Sequence, residues 1–584
     1  MSTKSTAHGR QETPPVGLRM TRRNGIVAAA ALMIAGTSTL GCSSMWRRDD
    51  DDSADAKLEK LLKVPKAPDL VREAAVPKGL HSVRVDGVAL VNRLVATGGA
   101  PEPSIMRDEL VEQMRRHDVA NPNHVLESSE TALVEVRGVI PPGARTGDPM
   151  DLLVVAPVQS HVRDLHGGWL METRLRHQQM LRNSLRKSEP LAIGQGPLLT
   201  RADTTPGTDD SLRTKAIVIA GGRVIENRDL GLILRPEFQH VKMAAAIAQA
   251  INRRFFFFDG TERRGIAEPL EDDYIKIEVH PRYRRNQYRM MEVARAIGVK
   301  PESAETQQRL ADLGQKLTDP ETSADAALQL EGMGDSAIPT LVDALEQDNP
   351  ELRFYVAEAL AYLDRDEALP PLESAIADSP AFRFPGLLAI EGMDGSAAVE
   401  TLRRLMDQPS LETRYGAFCA IRRRPDGASV LAGQNVSGQF RLFTVPCSCQ
   451  PAIVVSLRES PEIVMFGPDE TIDVTHPLFG PGGLLIKQDP ENPGQLRINR
   501  FLPGEDDRLA IVPANLTALI HGIADVGGGY GDVVTVLREA KDSGFLQQQL
   551  AMDPLPEPMR TYHRDEAEDQ DSVADEDSSV DVDG

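Results

Sequence analysis

The side chains in this sequence that could do chemistry are a few thiols, a group of histidines, one glycine cluster and many carboxylates. A thiol becomes a nucleophile or a metal ligand when its proton leaves and a second donor stands beside it. The chain offers Cys42, Cys419, Cys447 and Cys449. These are too few for a disulfide framework, and no C-x-x-C pair marks a zinc site. Cys447 and Cys449 stand two apart, too close for an easy bridge, and read as two ordinary thiols near a strand. His161, His166 and His177 are neighbours in sequence but lack the i, i+4 spacing that puts two imidazoles on one helical face. Gly527 to Gly531 (GGGYG) precedes a helix but lies in no βαβ unit and has no acidic partner at nucleotide-binding distance, so it reads as a turn. Neither a phosphate loop nor a G-x-S-x-G elbow occurs, and the carboxylates are plentiful but unplaced. The reading is therefore of a chain with no catalytic, cofactor-binding or metal-ligating set: a structural or binding part and not an enzyme.

Cys42 belongs to a different chemistry. Arg19, Arg22 and Arg23 precede an apolar stretch, Gly25 to Gly36, that is too short for a stop-transfer span. Small residues follow and end in Leu40-Gly41-Cys42. This resembles the lipobox of bacterial lipoproteins, although Thr39 stands where that pattern usually has Leu. The resemblance implies diacylglyceryl modification of Cys42 and membrane attachment through it. Either as a lipoprotein or as a simply cleaved precursor, the chain is expected to leave the cytoplasm.

Charge narrows the partners. The formal net charge is −22, and residues 565–584 hold ten carboxylates and no base, leaving −12 for the remainder. A self-repelling run of this kind buries no apolar surface and is expected to be a disordered tail. An acidic body with an acidic tail argues against nucleic acid, which needs clustered Lys and Arg. Only 4% of residues are aromatic, so aliphatic side chains must fill the cores.

The elements follow from punctuation and period. Residues 43–80 are charged and contain proline, and read as a linker. Val83 to Val95 is an apolar, β-branched run closed by Gly98-Gly99. Ser104 is placed to cap a helix whose Met106, Leu110 and Met114 share a face. Strands at Ala132 to Ile140 and Met150 to Val155, joined across Pro141-Pro142-Gly143, predict a hairpin. A helix over 241–256 sets Ala244, Ile247, Ala248, Ile251 and Phe255 on one side, and the run Phe255 to Phe258 reads as its end entering the core. After 430 the apolar runs are short again. A last helix, capped by Asp532 and ended by Gly544, carries Val533, Val536, Leu537 and Ala540.

From about 305 to 425 the period changes. Arg353, Arg383 and Arg414 recur at near-equal intervals, as do Leu360, Ile390 and Ile421, and Glu331-Gly332-Met333 returns as Glu391-Gly392-Met393. A period near 30 built of paired amphipathic helices predicts a stacked solenoid, since one unit cannot bury its own apolar face. These segments resemble HEAT repeats.

The β-rich part resembles the bacterial flagellar basal-body P-ring protein family. VDGVALVNRLVATGG looks like its early glycine-rich strand, through Gly87, Leu90, Val91, Leu94, Thr97 and Gly98. VIPPGARTGDPMDLLVV is similar to its Pro-Pro hairpin, through Pro141, Pro142, Ala144, Gly147 and Asp151. DLHGGWLMETRL, LAIGQGPL and LRPEFQHVKMAAAIAQAIN follow in the family's order, and GDVVTVLREAKDSGFLQQQL looks like its C-terminal helix. Where the family has further glycines, this chain has Ala89, Arg93 and Ala96.

The resemblance implies an α+β fold, a β-rich P-ring-like body interrupted by an α-solenoid of HEAT-like repeats. Its expected order is a leader (1–42), a linker (43–80), the first body part (81–299), the repeats (300–429), the second body part with its terminal helix (430–552) and an acidic tail (553–584). It further implies a homo-oligomeric ring around the flagellar rod in the periplasm, with the rod, the L-ring and peptidoglycan as partners and no cofactor. The alternative is a lipid-anchored envelope adaptor that captures another protein on its HEAT-like surface. The insertion reading also predicts that residues 305–425 are excisable as a unit, leaving the body folded.

Overall fold

The computed structural model describes residues 64–562, apart from 182–183, 208, 301–304, 503 and 505. Cys42, the leader and residues 563–584 of the acidic tail lie outside the described residues.

The predicted hairpin is part of a closed barrel. Strands Val83–Asn92, Ala132–Ile140, Pro149–Val155, Lys215–Val224, Ser184–Pro197 and Trp169–Leu181 pair antiparallel in that order, and the last returns to the first. Closure removes the free edges of the sheet. Val85, Val91, Val134, Val136, Leu152, Val154, Leu170, Leu175 and Val218 form its core. The helix Ile105–Arg116 begins where predicted, with Ser104 accepting from the Arg107 amide. It lays Leu110, Val111 and Met114 against Val88 and Leu133 on the outside of the barrel.

Beside the barrel stands a four-stranded antiparallel sheet of Ala75–Lys78, Leu230–Leu234, Tyr274–Ile277 and Ala267–Pro269. Residues 70–80 were read as linker, yet Val71, Ala74 and Ala75 are fully buried here, so the body begins earlier than expected. The charged and proline-bearing surroundings concealed a strand of only four residues. Helix Val241–Arg254 covers this sheet with Met243, Ala244, Ile247, Ala248 and Ile251. Of the phenylalanine run only Phe255 enters the core; Phe256 to Phe258 continue as a hairpin strand paired with Glu262–Gly265, and Phe258 is exposed.

The repeats are helical throughout, from Glu305–Lys316 to Leu411–Arg423. Leu360, Ile390 and Ile421, the periodic positions, are fully buried. Both copies of the Glu-Gly-Met motif face the body. A Cβ on Gly332 would stand 3.3 Å from Ile297 Cγ1, and one on Gly392 would stand 2.7 Å from the Arg282 carbonyl oxygen. The repeat signature therefore marks the side on which the solenoid is docked.

The C-terminal part holds two sheets and two helices. The central sheet orders Gly433–Val436, Phe440–Val445, Glu462–Phe466, Ala452–Val455 and Gln549–Met552. Ala452–Val455 and Glu462–Phe466 are buried at every residue. Phe443, Val445, Val454, Val464 and Phe466 join the core shared with the repeats. Leu442, Ile453, Val455, Ile463 and Met465 join a second core with helices Leu516–Asp525 and Tyr530–Asp542. A strand covered on both faces reads as a continuous apolar run, which is why AIVV and EIVMF do not alternate.

The repeats cover one face of a sheet that follows them in the chain, and this shared core argues against their being a removable unit. The first residues of the expected tail are docked as well: Tyr562 stacks on Phe382, and Arg560 pairs with Glu412 at 2.9 Å.

Candidate functional site: an apolar sheet face and its polar clamps

The second C-terminal sheet is a four-stranded antiparallel layer of Leu478–Gly480, Leu484–Gln488, Gln495–Arg500 and Arg508–Pro513. Alternation along a strand divides its side chains between two faces. Leu478, Leu484, Ile486, Leu496 and Ile498 point inward onto the two C-terminal helices. Cross-strand register then puts Phe479, Leu485, Asn499 and Leu509 in one outward row, with Lys487, Arg497 and Ile511 in the next. Phe479 is 72% exposed, Leu509 56% and Ile511 42%. Single exposed apolar residues are ordinary, whereas a row of them across one sheet with cations beside it is the composition of a contact surface.

A buried imidazole holds the helix beneath this face. His166, in the loop before strand Trp169–Leu181, donates Nδ1–H to Asp203 Oδ1 at 2.8 Å and Nε2–H to Asp532 Oδ1 at 2.9 Å. Burial alone would push this imidazole down, but the two carboxylates outweigh it and raise it to about 10, so it is an imidazolium at neutral pH. Asp203 also accepts from the Thr200 amide and the Thr535 hydroxyl. Asp532 stands three residues inside its helix and accepts from the amide of the cap residue, Gly529, so it is not the cap itself, as was expected. An imidazole with both nitrogens given to carboxylates has no lone pair to offer as base or ligand. The arrangement ties barrel to C-terminal helix.

The other candidate residues resolve as follows. Gly527 to Gly529 make the turn between the two helices, and Tyr530 and Gly531 open the second helix. His177 Nδ1 lies 2.9 Å from the Arg84 carbonyl oxygen, and His161 is exposed, so the three histidines are not brought together. Cys419 is buried in the core, and burial pushes its thiol up to about 12. Cys447 and Cys449 are near a strand, as expected, but they meet Asp407, with donor atoms of all three within 4.8 Å of one another. Burial pushes the Cys447 thiol up, helped by its hydrogen bond to Asp407, while Arg414 pulls the other way.

The seam between body and repeats is charged. Arg289 pairs with Glu331 and Glu358, and Tyr283 stacks on Tyr362 at 4.5 Å. Glu459 receives Arg285 from the body and Arg422 and Arg423 from the repeats. Burial would raise Glu459, but Arg423 and Arg285 hold it at about 2; burial takes its neighbour Glu462 to about 7. An open cleft of about 690 Å³ on this seam is lined by Arg254, Arg282 and Lys300 with Phe256 to Phe258. Of its cations, Arg282 pairs with Asp364 and Asp394, Lys300 with Asp69, Arg254 bonds the Glu331 carbonyl and Arg309 reaches Gln329 at 3.1 Å.

Among the described residues no helix is long and apolar enough to cross a membrane. Barrel, solenoid and double-sheet lobe define a mixed α+β protein. Residues 71–308 match the family of the "Flagellar P-ring protein", and residues 310–384 match HEAT repeats. The chain is similar to the Flagellar P-ring protein of Thermotoga maritima, 23% identical over 245 residues, which are 40% of this chain and 67% of that protein. The one from Paramagnetospirillum magneticum is 28% identical over 190 residues, 30% of this chain and 44% of that protein. That from Methylobacillus flagellatus is 24% identical over 230 residues, 37% and 58% respectively. The chain thus spans less than two thirds of the last two. Both resemblances read from the sequence, P-ring and HEAT, are borne out over the matched residues.

Proposed function

We propose that this chain is a structural subunit of P-ring type that assembles through repeated copies of itself in the cell envelope, outside the cytoplasm. The observation that carries the reading is the P-ring family match over the barrel and its neighbouring sheet, residues 71–308. The apolar face of the second C-terminal sheet supports it, because a ring needs one surface that meets a different surface on the next copy. Residues 430–552 complete the subunit in this reading, and the lipid on Cys42 holds it at a membrane. The repeats brace the body from one side. Mass measurement of the unlipidated protein over rising concentration, followed by electron microscopy with rod components, tests it. Closed rings are expected; a strict monomer at high concentration would turn the reading toward the adaptor. Cys42→Ala is expected to move the protein into the soluble periplasmic fraction, and retention with the membrane would remove the anchor.

A further inference from the structure

The turn Cys447-Ser448-Cys449 follows strand Phe440–Val445 and lies against the end of a repeat helix, where Asp407 stands. Two thiols and a carboxylate face one another there, with donor atoms within 4.8 Å. In tetrahedral zinc sites the ligand atoms stand roughly 3.5–4 Å apart, so only a small closure is needed. Asp407 is held in place by Ser448, whose amide donates to Oδ1 at 2.6 Å and whose hydroxyl donates to Oδ2 at 2.9 Å. Cys449 Sγ lies 3.3 Å from the Asp407 carbonyl oxygen. The group is partly open: Asp407 is exposed and the thiols are half-buried.

A second observation is independent of these donors. Arg414 is 1% exposed, and its guanidinium has no carboxylate partner among the described residues. Nη1 points at Cys447 Sγ at 3.5 Å and bonds the Gln450 carbonyl at 2.9 Å, while Nε is buried without a partner. A buried guanidinium with no counter-charge is costly; this one lies over the Phe466 ring, 5.4 Å from its centroid, and turns Nη1 toward the Cys447 thiol. A bound divalent cation would displace the thiol protons, and Arg414 stands beside the Cys447 sulfur that would then carry charge.

We propose that Asp407, Cys447 and Cys449 form a site for one thiophilic divalent cation of the zinc class. Water fills the fourth position on the open side. Arg414 is a positioning residue that donates to the Cys447 sulfur, as groups around a metal's ligands orient them. The site pins the last repeats to the central sheet.

The test uses the full chain, reduced and stripped with a chelator, then titrated with Co²⁺ alone. One equivalent is expected to give thiolate-to-cobalt absorption, which one equivalent of Zn²⁺ bleaches. Cys447→Ser, Cys449→Ser and Asp407→Asn should each weaken Zn²⁺ binding by at least the roughly 10–100-fold that loss of an outer-shell partner costs. In the unmutated chain Zn²⁺ should protect Cys447 and Cys449 from alkylation, which reads the same contact without a variant. Absence of the cobalt band, or alkylation of both thiols at an unchanged rate, overturns the site. So does isolation of the exported chain with a Cys447–Cys449 disulfide, which would make the pair a redox couple.

Discussion

Backbone strain marks where this chain departs from the family it resembles. Arg93 and Ala96, where the resemblance leads one to expect glycine, both lie in the left-handed region, at φ 64° and 57°. A Cβ there costs about 1–2 kcal/mol, and glycine returns part of that gain as unfolded-chain entropy. Ala96→Gly is therefore expected to stabilise the barrel by about 0.5–1 kcal/mol, read as a raised denaturation midpoint with unchanged slope. Arg93 stacks over Trp169 and should gain less. The His166 clamp gives a pH signature. Its folded value of about 10 lies above its ordinary 6.5, so its stabilisation is full below 6.5 and is lost as pH rises through 10. His166→Gln leaves Asp203 without its cation and Asp532 with only Arg500 at 3.7 Å, and should cost about 3–5 kcal/mol at pH 7. The variant should also lose the fall in melting temperature between pH 7 and 10; if that fall persists unchanged, another group is responsible. None of this was legible in the sequence. Asp532 lies 366 residues from His166, and each carboxylate sits inside a local capping pattern that already accounts for it. The same distance effect hid Asp407, 41 residues before Ser448.

At the scale of elements, local signals were legible and partnerships were not. The strand Ala132–Ile140, the Ser104 cap and the helix at 241–254 follow from alternation, capping and period. The helix Leu516–Asp525 is hard to see in the sequence, although Asn515 caps it, because it is apolar nearly all round and adjoins a β-rich run. What the period of the repeats concealed is that their Glu-Gly-Met copies are docking residues. Gly392→Val is expected to force the Arg282 backbone away and lower stability by about 1–3 kcal/mol, whereas the same change at exposed Gly260 would strain only a turn. Deletion of 305–425 is expected to leave the barrel, whose core is separate, but to unfold the central C-terminal sheet. Limited proteolysis distinguishes the outcomes: a protected fragment spanning 430–552 after deletion would restore the independent-insertion view.

Across the described residues, the repeats share one apolar core with the body sheet and the central C-terminal sheet, and charged seams add directional ties to that packing. Glu459 alone gathers arginines from the body and from two positions of the repeats, while its amide donates to Asp151 of the barrel at 3.1 Å. Held at about 2, its contribution is complete above its ordinary 4.5 and disappears as pH falls through 2. A body fixed in this way can present one face in a constant orientation, which closure of a ring demands of every copy. The face with the composition for it is the outer side of the Leu478–Pro513 sheet. Leu509→Lys and Phe479→Ser remove apolar area from side chains that support nothing in their own core, so melting should change by no more than about 0.5 kcal/mol equivalent. Self-association should weaken at least 10-fold in the double variant, on the order of 1.4 kcal/mol. Phe258→Ser, which removes an equally exposed ring from the hairpin beside the seam, is the control and should leave association unchanged. Sedimentation over a concentration series separates the cases: equal weakening by both sets would mean general stickiness, and weakening by the control alone would move the contact to the seam.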